Sequence, residues 1–218
     1  MKAAGIICEY NPIHPGHIYH IRETRRLLGE DTAIVCVMSG NFVQRGEPAM
    51  FPKHARAEAA VRCGADLVLE LPLPWAISSA EGFARGGVFL LDALGCVTHL
   101  SFGSEAGHIE PLLKAARALD KPETLGYLKE ELQKGISFAA ARTEALRRVL
   151  GEGADVLLTP NNTLGIEYLR ALERLNSPIV PVTIRRKGAG HDEAGAESAS
   201  HIPRQYQAGR EAWALLPE

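Results

Sequence analysis

Two histidines separated by Pro-Gly, His14-Pro15-Gly16-His17, are the residues whose types and spacing point most directly to chemistry. They follow the apolar run Ala3-Ala4-Gly5-Ile6-Ile7-Cys8 through Glu9-Tyr10-Asn11-Pro12-Ile13, and they precede the helical pattern Ile18, Ile21, Arg25, Leu28. A strand that turns into a helix here places both imidazoles at a helix N-terminus. The first backbone N–H groups of a helix have no intrahelical partner and the macrodipole is positive there, so the position attracts phosphate. Gly16 has no Cβ to hold a bulky anion off the backbone, and the imidazoles supply further donors. The pattern predicts a nucleotide site. The competing reading gives the histidines only turn and cap roles; strand, turn, glycine and helix occurring together favour the site. No metal site is expected, because His14, His17 and His20 have no cysteine pair nearby and Pro15-Gly16 breaks the register that clustered ligands on one helix would use.

Other candidates sit at ends of apolar runs. Gly103 follows the strand-like run 99–102, where a small residue lets a ligand approach the backbone. Asn161 and Asn162 stand at a junction before a helix over 164–175; Asn162 suits the N-cap and Asn161 is left to face a ligand. Arg185-Arg186-Lys187 before Gly188-Ala189-Gly190 suits phosphate, and Arg45 and Lys53 suit phosphate or a carboxylate. Cys8, Cys36, Cys63 and Cys96 are widely spaced and read as small buried hydrophobes.

The elements that must position these residues are legible as periodicity. Near-continuous apolar runs at 2–9, 32–38 and 66–71 suit strands covered on both faces, with helices ending near Gly29, spanning 53–63 and spanning 78–94 with a weak point at Gly86-Gly87. Helical periodicity over 109–150, broken at Pro122 and at Gly135-Ile136-Ser137, reads as an insertion of about 106–150. The sheet is expected to resume at 155–158 and to end with 179–184. This is α/β with a parallel sheet. The 218 residues, 46% hydrophobic, suffice for one large domain, here 1–197 with a tail over 198–218. A formal charge of −2 excludes a generally basic nucleic-acid binder while allowing local basic patches. No stretch approaches the roughly 20 apolar residues of a membrane span and no signal-peptide order opens the chain, so the cytoplasm is expected and no membrane partner.

The histidine motif resembles that of the HxGH nucleotidylyltransferase superfamily. Together with Ser39-Gly40-Asn41-Phe42, Gln44-Arg45-Gly46-Glu47-Pro48, Gly64-Ala65-Asp66-Leu67-Val68, Phe102-Gly103-Ser104-Glu105 and Pro160-Asn161-Asn162, it is similar to the bacterial tRNA(Met) cytidine acetate ligase family over nearly the whole chain. The resemblance implies a Rossmann-like nucleotidylyltransferase fold with a helical insertion. It implies that acetate is activated by ATP and Mg²⁺ to acetyl-adenylate and passed to N4 of the wobble cytidine in the anticodon loop of elongator tRNA(Met). His14 and His17 would be catalytic. ATP contacts would come from Ile7, Cys8, Glu9, Tyr10, Asn11, Pro12, Ile13, His14, Pro15, Gly16, His17, Ile18, Tyr19 and His20, and from Gly103, Asn161, Arg185 and Arg186. The superfamily's second signature, a Ser/Thr-rich turn ending in Ile-Arg, appears as Ser198-Ala199-Ser200-His201-Ile202-Pro203, with proline at the arginine position and Arg204 one place later. Members of the family are about twice this long, and the further part contributes to tRNA binding. Two alternatives remain open at this stage: an adenylyltransferase acting on a phosphorylated small molecule, and a nucleotide- or RNA-binding module without turnover.

Overall fold

A computed structural model describes residues 1–186; Lys187, Gly188-Ala189-Gly190, the segment 198–204 with Pro203, and the expected boundary at 197 lie outside the described residues. Five parallel strands, β1 (Ala3–Cys8), β2 (Ala33–Ser39), β3 (Leu67–Leu71), β4 (His99–Ser104) and β5 (Val180–Arg185), form one sheet in the order β3-β2-β1-β4-β5. Between them run α1 (Pro15–Leu28), α2 (Lys53–Arg62), α3 (Leu73–Ala76), α4 (Ala80–Ala93), α5 (Ile109–Leu119), α6 (Pro122–Gln133), α7 (Phe138–Leu150) and α8 (Pro160–Leu175).

Side chains alternate between the two faces of a strand, and both faces here are covered. Ala4, Ile6 and Cys8 of β1 join Ile34, Cys36 and Met38 of β2 under Ile21 of α1 and Ala60 of α2. On the other face Ile7, Val35, Val37 and Leu71 pack with Phe83, Val88 and Leu91 of α4 and with Ile166, Tyr168 and Leu169 of α8. Burying a side chain such as Phe83 or Leu91, each 1% exposed, contributes about 1.5–3 kcal/mol. The chain builds outward from β1 to β3, then returns past β1 to begin β4. That reversal opens a crevice at the carboxyl ends of β1 and β4, where open α/β sheets bind ligands.

Four expectations need correction. Residues 155–158 do not rejoin the sheet: they lie in a 3-10 helix, Gly151–Leu158, in which Val156 and Leu157 pack against the core. The three apolar residues Val156-Leu157-Leu158 after Asp155 carry no period that separates strand from helix. The connection between β4 and β5 therefore comprises α5, α6, α7, the 3-10 segment and α8. Gly86-Gly87 does not weaken α4, which is continuous. A Cβ on Gly87 would lie 2.7 Å from Cδ1 of Ile7, so the absence of a side chain lets the helix press onto β1. Asn162 is not an N-cap, because α8 begins at Pro160 after Thr159; its Oδ1 instead accepts the Ala106 N–H at 3.0 Å. Of the cysteines, Cys8 and Cys36 are buried, Cys63 is half-buried at the end of α2, and Cys96 is exposed. Among the described residues no helix is long and apolar enough to cross a membrane.

Candidate active site

β1 ends at Cys8 and the chain reaches α1 through Tyr10, held at φ 45°, and a cis Asn11–Pro12 peptide. His14 caps α1. Its Nδ1 accepts the Gly16 N–H at 3.1 Å, while its own backbone N–H donates to Nδ1 of His17 at 3.2 Å. This is a reciprocal capping box in which both partners are imidazoles. Because each Nδ1 accepts from a backbone N–H, each neutral ring must carry its proton on Nε2. Both rings thus present an N–H donor on the edge away from the helix backbone. His14 is 4% exposed and its Nε2 has no partner among the described residues. The two rings lie 3.7 Å apart between centroids, and Tyr10 packs edge-on to His17 at 4.9 Å.

Gly16 has a reason that the sequence did not reveal. A Cβ there would sit 2.9 Å from Cε1 of His14, so the glycine makes room for the capping imidazole. His20, one turn on, donates to or accepts from Ser101 on β4 at 2.9 Å, and Thr24 bonds the same hydroxyl at 2.7 Å. Burial, then the positive charge of Arg186, lowers His14 to about 4 and His20 likewise to about 4. His17 is driven well below its ordinary value by burial and by the neighbouring imidazoles and Arg186.

Arg186 belongs to this cluster and Arg185 does not, because neighbouring residues at the end of β5 point to opposite sides. The Arg186 backbone N–H bonds Ser104 O at 3.0 Å, its guanidinium donates to Asn161 Oδ1 at 3.2 Å, and its stem lies 3.3 Å from where a Gly103 Cβ would be. Arg185 packs against Gly107. Asn161 was expected to be free for a ligand; its amide donates instead to Glu105 Oε1 at 2.6 Å while its oxygen orients Arg186. Glu105 also accepts the Asn162 N–H at 2.9 Å, and these bonds hold its carboxyl below the usual range despite burial. Ile7, Cys8, Tyr10, Pro12 and Ile13 have buried side chains, whereas Pro15 and Gly16 are exposed and Asn11, Ile18 and Tyr19 are half-buried. Asn11 Oδ1 accepts the Met50 N–H at 2.6 Å.

Arg56 is the residue that sequence reasoning missed. On α2 and 2% exposed, it donates to the carbonyls of Phe51 at 3.0 Å and Ser39 at 3.0 Å, and also to those of Glu9 and Gly40. One guanidinium thus ties together the carboxyl ends of β1 and β2. Glu9, beside it, accepts the Gln44 N–H on Oε1 at 2.8 Å, and burial pushes its carboxyl up. Arg45, in the adjoining 3-10 turn, is held at φ 68°. Strained non-glycine backbone at both Tyr10 and Arg45 is the kind that collects at functional sites. Lys53 meets a carboxylate, Glu70, at 2.5 Å.

A helix mouth with two outward imidazole N–H donors, faced by an arginine, suits a polyphosphate. The sequence profile of the HIGH Nucleotidyl Transferase family matches residues 1–217. The chain belongs to the HIGH nucleotidyl transferase family. Within it, the chain is 52% identical to the tRNA(Met) cytidine acetate ligase of Caldanaerobacter subterraneus over 87% of its own length and 48% of that protein's. It is 46% identical to the Syntrophotalea carbinolica ligase of the same name, over 100% of this chain and 54% of the relative. The fold superposes on the crystal structure of Thermotoga maritima TmcAL bound with alpha-thio ATP at a TM-score of 0.90. The identity is 43%, over all of this chain and 54% of that one. The chain therefore spans about half the length of the curated relatives it matches.

Proposed function

We propose that the protein binds ATP across the β1/β4 crevice, activates acetate as acetyl-adenylate, and passes the acetyl group to N4 of the wobble cytidine of elongator tRNA(Met) in the cytoplasm. The observation that carries this reading is the buried Nε2 donor of His14, without a partner among the described residues, beside His17 and Arg186 at the mouth of α1. The tRNA(Met) cytidine acetate ligase name of its relatives supplies the substrates.

Acetate is already ionised at neutral pH and needs no general base. Its oxygen attacks the α-phosphorus, the new O–P bond forms as the bond to pyrophosphate breaks, and negative charge accumulates on the leaving group. His14, His17 and Arg186 meet that charge with donors fixed before the reaction, which is where preorganised electrostatics has most effect. Asn161 acts through Arg186. Mg²⁺ in this scheme arrives with the polyphosphate, and among the described residues no group of three His, Cys, Asp or Glu is placed to hold a metal ion. In the second half-reaction the cytosine amine attacks the acetyl carbonyl, AMP leaves and N4 loses a proton; the base must be splayed from its stack to do so.

The test is pyrophosphate release and acetyl-adenylate formation with acetate compared against phosphopantetheine and nicotinamide mononucleotide. His17→Ala is expected to lower the acetate-dependent rate by at least ~100-fold, the scale of losing one preorganised donor. An unchanged rate in that variant, or release driven by a phosphorylated small molecule instead of acetate, overturns the assignment.

A further inference from the structure

Three polar atoms around Glu9 have no hydrogen-bond partner among the described residues: Ser39 Oγ, Tyr168 Oη and Gln44 Nε2. Ser39 is fully buried and Tyr168 is 2% exposed. A buried hydroxyl left unpaired costs about 1–3 kcal/mol, and native folds leave few of them without a purpose. These three belong to one place. Cys8 pairs with Met38 in the β1/β2 register, so Glu9 and Ser39 follow as neighbours at the strands' carboxyl ends. Alternation puts both on the face that carries Ile7, Val37 and Tyr168. The Gln44 N–H on Glu9 Oε1 fixes the 3-10 turn against the same point. From α8, the Tyr168 ring packs edge-on to Phe102 of β4 at 5.7 Å, and burial, then Cys8 and Glu9, raise the pKa of its phenol.

We propose that Ser39, Gln44 and Tyr168 form a subsite for the carboxylate of a short-chain acid, the acyl substrate of the reaction proposed above, on which this assignment rests. Each of the three atoms can donate a hydrogen bond, and an ionised carboxylate is an acceptor only, with two oxygens and about four lone-pair positions. Arg56, buried against the same strand ends, offsets the added negative charge beside Glu9. Ile7, Val37 and Phe102 line that face, all of them buried. They favour a methyl group and oppose a longer or polar tail. The subsite lies at the end of the strand whose continuation carries His14, on the opposite side of the sheet from Ser101 and His20.

The test uses Ser39→Ala and Tyr168→Phe, which each delete one unpaired hydroxyl. If the hydroxyls serve the acid, the KM for acetate rises about tenfold per hydroxyl, the size of a 1.4 kcal/mol interaction, with kcat little changed and the ATP Kd unchanged by calorimetry. The ligand-free Tm stays level or rises, since an unsatisfied buried group has been removed. A fall in Tm with an unchanged acetate KM makes the hydroxyls structural and overturns the proposal. Titration of [1-¹³C]acetate by NMR, with ATP present, separates the two readings. Acetate bound by the unaltered chain and lost in the double variant supports the subsite even if no acetyl-adenylate forms, whereas binding retained in the double variant, or absent from the unaltered chain, overturns it. Butyrate turned over as well as acetate would also sink it.

Discussion

At His14 and His17 the backbone decides which ring nitrogen carries the proton, and the surroundings decide that there is only one. Nδ1 of each ring is held as an acceptor, so the neutral form aims Nε2–H outward, and burial with Arg186 lowers His14 to about 4. A polyphosphate placed against the rings pulls the other way, because an opposite charge favours the imidazolium, at the expense of the cap bonds that Nδ1 accepts. The bound pKa then lies above the free one. Between the two values binding takes up protons, so nucleotide affinity strengthens as pH falls toward about 4 and flattens well above the bound pKa. Calorimetry at pH 5, just above the free value, in buffers of differing ionisation enthalpy should register net proton uptake; zero uptake would mean that the cap bonds keep both rings neutral in the complex. Gly16 is tied to the same geometry. In Gly16→Ala the new Cβ falls 2.9 Å from the His14 ring, which must swing away and lose its cap bond. Alanine recovers about 1 kcal/mol of helix propensity, so thermal stability should stay near that of the parent while the ATP Kd rises at least ~10-fold.

The elements around this site illustrate what a sequence carries and what it does not. The runs that form β1 and β2 are apolar nearly throughout because both sheet faces are covered there, whereas β3 at the sheet edge leaves Leu67 and Glu70 exposed; the pattern is local. The same holds for the turn into α1. The segment 155–158 is of the opposite kind, since a run of three apolar residues suits a strand or a turn of helix equally and only the surrounding helices choose. Arg56 leaves no local trace either. In Lys53-His54-Ala55-Arg56 it reads as one more surface cation of an exposed helix, and its partners are carbonyls of Glu9, Ser39, Gly40 and Phe51, which have no sequence signature. Asn161 was found for its position but its task, orienting Arg186, depends on β5 lying beside β4. Arg56→Leu should cost on the order of 3 kcal/mol by urea denaturation, because several buried carbonyls lose a charged donor together. Nucleotide binding should weaken with it, since the clamp joins the loops ahead of His14 and after Ser39. A loss under ~1 kcal/mol would show that water replaces the guanidinium.

On the scale of the whole molecule, the long β4-to-β5 connection has to be fastened to the sheet without a strand of its own. The fastening is ionic as well as apolar. Glu167 on α8, 2% exposed, accepts from Arg142 of α7 and from Arg170 at 2.7 Å; Arg170 reaches Asp120 after α5 at 2.7 Å, and Arg174 joins Asp120 at 2.9 Å to Glu81 of α4 at 2.5 Å. One network therefore links α4, α5, α7 and α8 beside a cavity of about 360 Å³ lined by Leu119, Leu128 and Ala145 with Arg142, Glu167 and Arg170. A buried carboxylate between two guanidinia is not itself evidence of high stability, but removing it takes the carboxylate from Arg142 and leaves Arg170 with Asp120 alone, at a cost of about 3–5 kcal/mol. The effect of Glu167→Gln should be uneven. Amides in α6 and α7 should lose hydrogen-exchange protection first, because α7 gives up its ionic tie to α8, while β1, β2 and α1 keep theirs and the ATP Kd moves less than twofold. Uniform loss of protection across sheet and helices would instead mean that the helical connection and the sheet unfold as one cooperative unit, with Glu167 at its centre.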